Sequence, residues 1–176
     1  MRSQKLSDGS DFTKQGPRDW LCQTAGAAAP SGGRAVHAVT NVGAIFHWPV
    51  RVYWEDTDAG GIVFYANYLK FFERSRTEWL RSLGVEQQQL KDKTGGMFVV
   101  AETSIRYLRP ARLDDELIVT ASLSESGRAS MTIWQQVLLR DTLICEGKIR
   151  IGWVNTDTMQ AARIPQNIIE RLRVNP

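Results

Sequence analysis

An α+β fold is predicted, with one curved antiparallel β-sheet wrapped around a long central α-helix. Three observations carry this expectation. After a polar start, the chain reads as a strand, a long helix, then four strands joined by short turns. The strands alternate apolar and polar residues, as half-buried antiparallel strands do. The helix is apolar beyond a single stripe, so it needs cover on more than one side.

Residues 1–44 are rich in Gly, Ala, Ser, Thr and Gln, and Ala25–Gly33 (AGAAAPSGG) is low in complexity. No strand or helix period is sustained there, so this segment is expected to be a disordered extension, dispensable for folding and turnover. The folded domain is expected over residues 45–176. Phe46–Trp54 (FHWPVRVYW) reads as its first strand, with Pro49 confining the early part to an edge or a strand entry. Glu55–Gly61 (EDTDAGG) is a polar turn ending in glycine. The central helix is predicted over Ala66–Leu83, with Leu69, Phe72, Trp79, Leu80 and Leu83 near one stripe. Tyr68 and Phe71 broaden its apolar surface, and Gly84 stands where a left-handed residue ends a helix.

Four strands follow, over Met97–Leu108, Glu116–Ser124, Ser130–Arg140 and Thr142–Val154. The second places Leu117, Val119, Ala121 and Leu123 on one face, and the third does the same with Met131, Ile133, Val137 and Leu139. Pro110–Asp115, Ser124–Ala129 and Arg140–Thr142 supply the turns. A short helix over Pro165–Arg173 closes the chain.

The bulk composition narrows the function classes. A chain of 176 residues, 43% of them hydrophobic, suits one domain with a real core. The net charge is only +3, with Lys and Arg dispersed, which argues against a nucleic-acid partner. Cys22 and Cys145 are the two cysteines and form no Cys-x-x-Cys pair, so neither a disulfide framework nor a metal site is expected. Cys145 reads as a small core residue. No cofactor is expected. No apolar run approaches the ~20 residues of a transmembrane span, and charges interrupt the N-terminus, so a cytoplasmic protein is expected.

The chemistry concentrates in Tyr53–Glu73 (YWEDTDAGGIVFYANYLKFFE). A strand delivers Asp56 and Asp58 to a turn. Gly60 and Gly61 let the backbone bend tightly or admit a ligand closely. A helix then opens near Phe64–Ala66, with unpaired N–H groups and the positive end of its dipole. A carboxylate beside such donors suits acyl transfer: the N–H groups stabilise an oxyanion while the carboxylate attacks or activates water. Spacing alone leaves open a simpler role, in which both aspartates cap the turn and helix. Asp56 fits that structural role better than Asp58.

The run Asp56-Thr57-Asp58-Ala59-Gly60-Gly61-Ile62-Val63-Phe64-Tyr65-Ala66-Asn67-Tyr68 resembles the signature of the 4-hydroxybenzoyl-CoA thioesterase family, and more closely its Tol-Pal-associated acyl-CoA thioesterase branch. Phe72–Glu78, Tyr107–Asp115 and the closing strand extend the resemblance, which covers Phe46 to the C-terminus. It implies a hotdog fold, hydrolysis of an acyl-CoA thioester, and an active site at a dimer interface. Asp58 takes the place of the family's catalytic aspartate, and the Tyr65 backbone N–H that of the donor to the thioester carbonyl. Where the branch often has Tyr-His, this chain has Phe64-Tyr65, so any part that histidine plays is absent here.

Other residues are weaker candidates. Glu73, on the central helix, reads as a solvated or salt-bridged acid, although some hotdog enzymes draw their carboxylate from this helix. His37 and His47 are the only histidines, and neither lies in the motif. Arg106, Arg109, Arg112, Lys148 and Arg150 are candidates for the CoA phosphates, Arg109 and Arg112 foremost. Phe64, Tyr65, Met97 and Phe98 are candidates for the acyl pocket. A nucleophilic Cys145 is disfavoured, because no histidine is placed to activate it. The leading reading is therefore hydrolysis of acyl-CoA to a carboxylic acid and CoA. An acyl-carrier-protein substrate remains open. The alternatives are a non-enzymatic acyl-CoA or acyl-carrier-protein binding module at the cell envelope and, less favoured for want of a histidine, a hydroxyacyl dehydratase. A homodimer, or a homotetramer built from it, is expected.

Overall fold

The computed structural model describes residues 45–174. The expected disordered extension, with His37 and Cys22, lies outside the described residues. The elements run β1 (Phe46–Arg51), α1 (Asn67–Ser82), α2 (Gln87–Thr94), β2 (Gly96–Tyr107), β3 (Glu116–Ser126), β4 (Ser130–Leu139), β5 (Thr142–Asn155) and α3 (Gln166–Val174). The strands form one antiparallel sheet in the order β1-β3-β4-β5-β2, so β1 and β2 are its edges. Register shifts at Val100/Glu102, Leu123/Glu125 and Val137/Leu138 mark bulges, which bend strands and help the sheet curl round the helix.

The sheet's inner face carries Leu117, Val119, Ala121 and Leu123 of β3, Met131, Ile133 and Val137 of β4, and Ile149 and Ile151 of β5, all buried. Against it lies α1, which buries Tyr68, Phe71, Phe72, Ser75, Trp79 and Leu80. Ser75 is small where the helix nears β3, and its Oγ donates to the Val119 carbonyl at 3.3 Å. Gly147 of β5 has the same effect: a Cβ there would stand 3.1 Å from the Phe72 ring and 2.9 Å from the Ser104 carbonyl. The α1 terminus is as expected. Gly84 has φ +71°, its N–H donates to Arg81 O, and the Val85 N–H reaches back to Leu80 O, both at 2.9 Å.

Four details differ from the sequence reading. Leu69 is 41% exposed, because the buried stripe passes through Tyr68 and Phe71 instead. Helix α1 begins at Asn67, with Ala66 as its cap. The first strand stops at Arg51 rather than Trp54, because the Asp56 carboxylate accepts the Tyr53 N–H at 2.9 Å and folds Trp54–Asp56 into a 3₁₀ turn. Helix α2 carries no sequence signal: it buries none of its residues, so no apolar period announces it, and only Gly95 at φ +62° marks its end.

Candidate active site

Asp58 sits at the tip of a miniature hairpin. Thr57 and Val63 pair across it as an antiparallel bridge. The Asp58 N–H donates to Ile62 O, and the Gly61 N–H donates to Asp58 O, both at 2.9 Å. Gly61 has φ +70°, a conformation that excludes most side chains, so the tight bend read from the sequence falls on this glycine. At Gly60 the close approach comes from Asp58 itself. The Gly60 N–H donates to Asp58 Oδ1 at 2.8 Å, and a Cβ on Gly60 would stand 3.0 Å from that oxygen. One carboxylate oxygen is thus held by the loop, while Oδ2 has no partner among the described residues and the side chain is exposed.

Asp56, two residues earlier, is buried at 1% exposure and does structural work. Its Oδ2 takes the Tyr53 N–H, and its carbonyl takes the Phe64 N–H at 2.9 Å and the Asn67 side-chain amide at 3.0 Å. Asn67 also reaches the Glu55 carbonyl at 3.4 Å. This buried amide ties the acidic turn to the first turn of α1. Asn67→Ala is expected to cost about 1–3 kcal/mol by leaving the Asp56 carbonyl under-satisfied. An unchanged urea midpoint would show that the tie contributes nothing.

The Phe64 N–H is used by Asp56 and the Asn67 N–H by Phe64 O, but the Tyr65 N–H has no partner among the described residues. It lies just ahead of the α1 cap, at the positive end of the helix. The Tyr65 carbonyl, in contrast, is held by the Tyr107 hydroxyl at 3.0 Å. The rings of Phe64 and Tyr65 are 4.6 Å apart, and Tyr107 lies 6.3 Å from Tyr65 and 5.7 Å from Tyr68. Phe64, Tyr65 and Tyr107 of this cluster are exposed, and Tyr68 is buried. The buried Tyr68 hydroxyl accepts the Ala111 N–H at 3.1 Å, and burial pushes its pKa up to about 12, against the lowering effect of that hydrogen bond.

The 108–112 segment is drawn to the loop, since Ala111 also accepts the Val63 N–H at 2.9 Å. Arg112 thus directly follows a residue bonded to the Asp58 hairpin, and Arg109 lies on the same segment. Arg109 donates to Leu143 O at 3.2 Å, and the Arg112 side chain is exposed with no partner among the described residues. The other candidate cations stand elsewhere. Arg106 pairs with Glu146, and Lys148 and Arg150 line a polar groove with Glu102 and Glu125. Glu73, on the outside of α1, accepts the Thr77 hydroxyl at 2.7 Å. His47 is exposed on β1 with no side-chain partner among the described residues. Met97 and Phe98 are half-buried; the Phe98 ring meets Trp153 at 4.7 Å, apart from the Phe64–Tyr65 pair.

Cys145 is buried, and burial, followed by the nearby Glu146, pushes its thiol up to about 12. A pKa raised this far leaves the sulfur protonated, hence unreactive, at pH 8–9. In a Cys22→Ser background, iodoacetamide should alkylate Cys145 only after unfolding. Rapid native-state alkylation would contradict the buried setting. No group of acids, cysteines and histidines suited to a metal ion occurs among the described residues. No described helix is long and apolar enough to cross a membrane.

A central helix under a curled antiparallel sheet is the hotdog architecture, and comparison with known proteins supplies the family. Residues 52–172 match the thioesterase-like superfamily, and the chain belongs to it. Within that superfamily it is similar to the acyl-CoA thioesterase YbgC of Haemophilus influenzae, with 42% identity over 124 residues, 70% of this chain and 90% of that one. The acyl-CoA thioester hydrolase YbgC of Shigella flexneri is 37% identical over 130 residues, 73% of this chain and 96% of that one. Among solved structures, a probable thioesterase from Bartonella henselae superposes with a TM-score of 0.67 at 32% identity, covering 69% of this chain and all of that one, 100%. The family expected from the motif is thus the family found.

Proposed function

We propose that this thioesterase hydrolyses acyl-CoA to a carboxylic acid and CoA, with Asp58 as the catalytic carboxylate and the Tyr65 N–H as the oxyanion donor. The observation that carries this reading is the paired availability on one short hairpin. An exposed carboxylate has one oxygen held by Gly60, and the next helix start offers an N–H without a partner. A carbonyl oxygen set against that N–H gains charge as the thioester carbon becomes tetrahedral, which the donor and the helix dipole stabilise.

Two routes fit the geometry. Asp58 attacks the thioester carbon, the C–S bond breaks to release CoA thiolate, and water then hydrolyses the acyl-aspartyl anhydride. Alternatively, Asp58 takes a proton from water as its oxygen adds to the carbon, and the sulfur leaves with a proton. In this reading Phe64, Gly60 and Gly61 shape the thioester end, and the guanidinium groups of Arg109 and Arg112 meet the CoA phosphates. The names of the YbgC relatives support acyl-CoA as the substrate class. A panel of acyl-CoAs varied in length and aromaticity, assayed for thiol release, tests the proposal. Absence of thiol release from every member would overturn it.

The edge strand β2 runs for 12 residues, and among the described residues no strand pairs on its outer side. Val100, Tyr107 and Leu108 are exposed along or just beyond it. An open edge with apolar residues favours pairing with a second copy, so a homodimer, or a tetramer of two such pairs, is proposed. Light scattering at micromolar concentration should find no monomer, and a purely monomeric protein would refute the assembly.

A further inference from the structure

The proposed reaction depends on where one backbone N–H points, that of Tyr65, and two contacts determine it. The first is local. The Phe64 carbonyl accepts the Asn67 N–H at 2.8 Å, which turns it toward the start of α1. A trans peptide is planar, with its N–H opposite its carbonyl, so the Tyr65 N–H of the same unit points away from the helix. The second contact comes from across the fold. The Tyr65 carbonyl, one peptide further on, accepts the Tyr107 hydroxyl at 3.0 Å. No backbone donor shares it among the described residues. Helical spacing would direct the Leu69 N–H to Tyr65 O, but that N–H goes to Ala66 O at 3.1 Å.

The fold holds Tyr107 firmly in this position. It stands opposite Cys145 in the β2–β5 register, and Cys145 is buried, so both side chains lie on the helix side of the sheet. Its ring packs 5.7 Å from Tyr68 and meets Tyr65 edge-on at 6.3 Å. Partial burial, followed by Cys145 and Tyr65 nearby, raises its pKa above the usual phenol value, so the hydroxyl remains a donor. A second copy pairing along β2 would use the outer N–H and C=O groups of that strand and does not call on this side chain.

We infer that Tyr107 is a positioning residue for thioester hydrolysis: its hydroxyl pins the Tyr65 carbonyl and so fixes the aim of the Tyr65 N–H, which rests on the reading of that N–H as the oxyanion donor. The two torsions of a residue set its N–H against its C=O, and here both flanking peptide units are held, one by Asn67 and one by Tyr107. Without the hydroxyl, Tyr65 O is left to exchange between water and the Leu69 N–H, and the units before α1 lose their single aim. An oxyanion donor acts through preorganisation, so a loss of aim costs rate more than it costs substrate binding.

Tyr107→Phe in the full-length protein keeps the ring and removes the hydroxyl. With an acyl-CoA that the wild type hydrolyses, kcat for thiol release is expected to fall about tenfold, short of the roughly hundredfold cost of deleting an oxyanion donor outright. KM should stay within about twofold, the mark of an interaction made only in the transition state. The melting temperature should hardly move, because water can take the place of a partly exposed hydroxyl. In backbone relaxation measurements, the order parameter of the Tyr65 amide should fall from about 0.85, the value of rigid backbone, toward about 0.6. This last readout needs no substrate, so it decides the clamp whether or not an acyl-CoA is hydrolysed. A wild type that hydrolyses no acyl-CoA sinks the thioesterase reading, and the positioning role for that reaction with it. An unchanged kcat in Tyr107→Phe beside an active wild type would overturn the positioning role alone. So would a rise in KM alone, a loss of kcat that merely tracks a fall in melting temperature, or an unchanged Tyr65 order parameter.

Discussion

Asp58→Asn is expected to lower thioester turnover about a hundredfold or more, the usual cost of losing a nucleophile or general base. Asparagine keeps the size and the oxygen that accepts the Gly60 N–H, so the hairpin should persist. The charge and the nucleophile disappear. Acyl-CoA binding should survive, and tighten if anything, because an anion near the thioester is gone. The competing reading makes Asp58 only a turn cap, and the Gly60 bond gives it substance. On that reading the variant loses about 1 kcal/mol of stability and keeps its turnover. Rate and melting temperature, measured on the same preparation, separate the two. Asp56→Asn is the internal control. Its carboxylate is buried and accepts Tyr53 within the turn, so its effect should fall on stability and loop geometry first. Near-normal hydrolysis by folded Asp58→Asn protein would refute the proposed mechanism and turn attention to Glu73.

Phe72→Ala should produce the largest loss of stability in the chain, about 3–5 kcal/mol. Its ring is fully buried between α1 and the sheet, over Gly147, where a Cβ would already be only 3.1 Å away. A site that tight has little room to collapse round the missing ring, which puts the cost at the upper end of such substitutions. The melting temperature should fall by on the order of 10 °C or more. A fall of only a few degrees would mean that α1 is not clamped there. Because α1 carries the Asn67 tie and follows directly on Tyr65, whose N–H has no partner among the described residues, turnover at moderate temperature should fall with stability.

Much of this protein is legible in its residues. Alternation in β3 and β4 assigns their inner faces correctly, since a period of two in a strand means one face whatever the partner. Gly84 and Gly61 announce a helix end and a hairpin bend, because only glycine takes a left-handed backbone without strain. The run from Asp56 to Tyr68 carries the family, and its local turn chemistry places Asp58 and Tyr65 on one small structure.

Other features depend on contacts between segments distant in the chain, and no local pattern encodes them. Tyr107 reaches Tyr65 across 42 positions, and Tyr68 meets Ala111 across 43. Asn67 looks like an ordinary polar helix residue until the fold buries it against the Asp56 carbonyl. Gln135 occupies an inward position of β4 that alternation reserves for an apolar side chain; it is admitted because Arg76, Phe72 and Thr120 satisfy its amide. Leu69 is as apolar as Leu80, yet one is exposed and the other buried, because the sheet covers α1 from a direction that its own period does not specify. Local sequence dictates backbone bends and the two faces of a strand through short-range sterics. Which buried donor meets which acceptor, and which face of a broadly apolar helix is covered, is set by packing across the whole sheet.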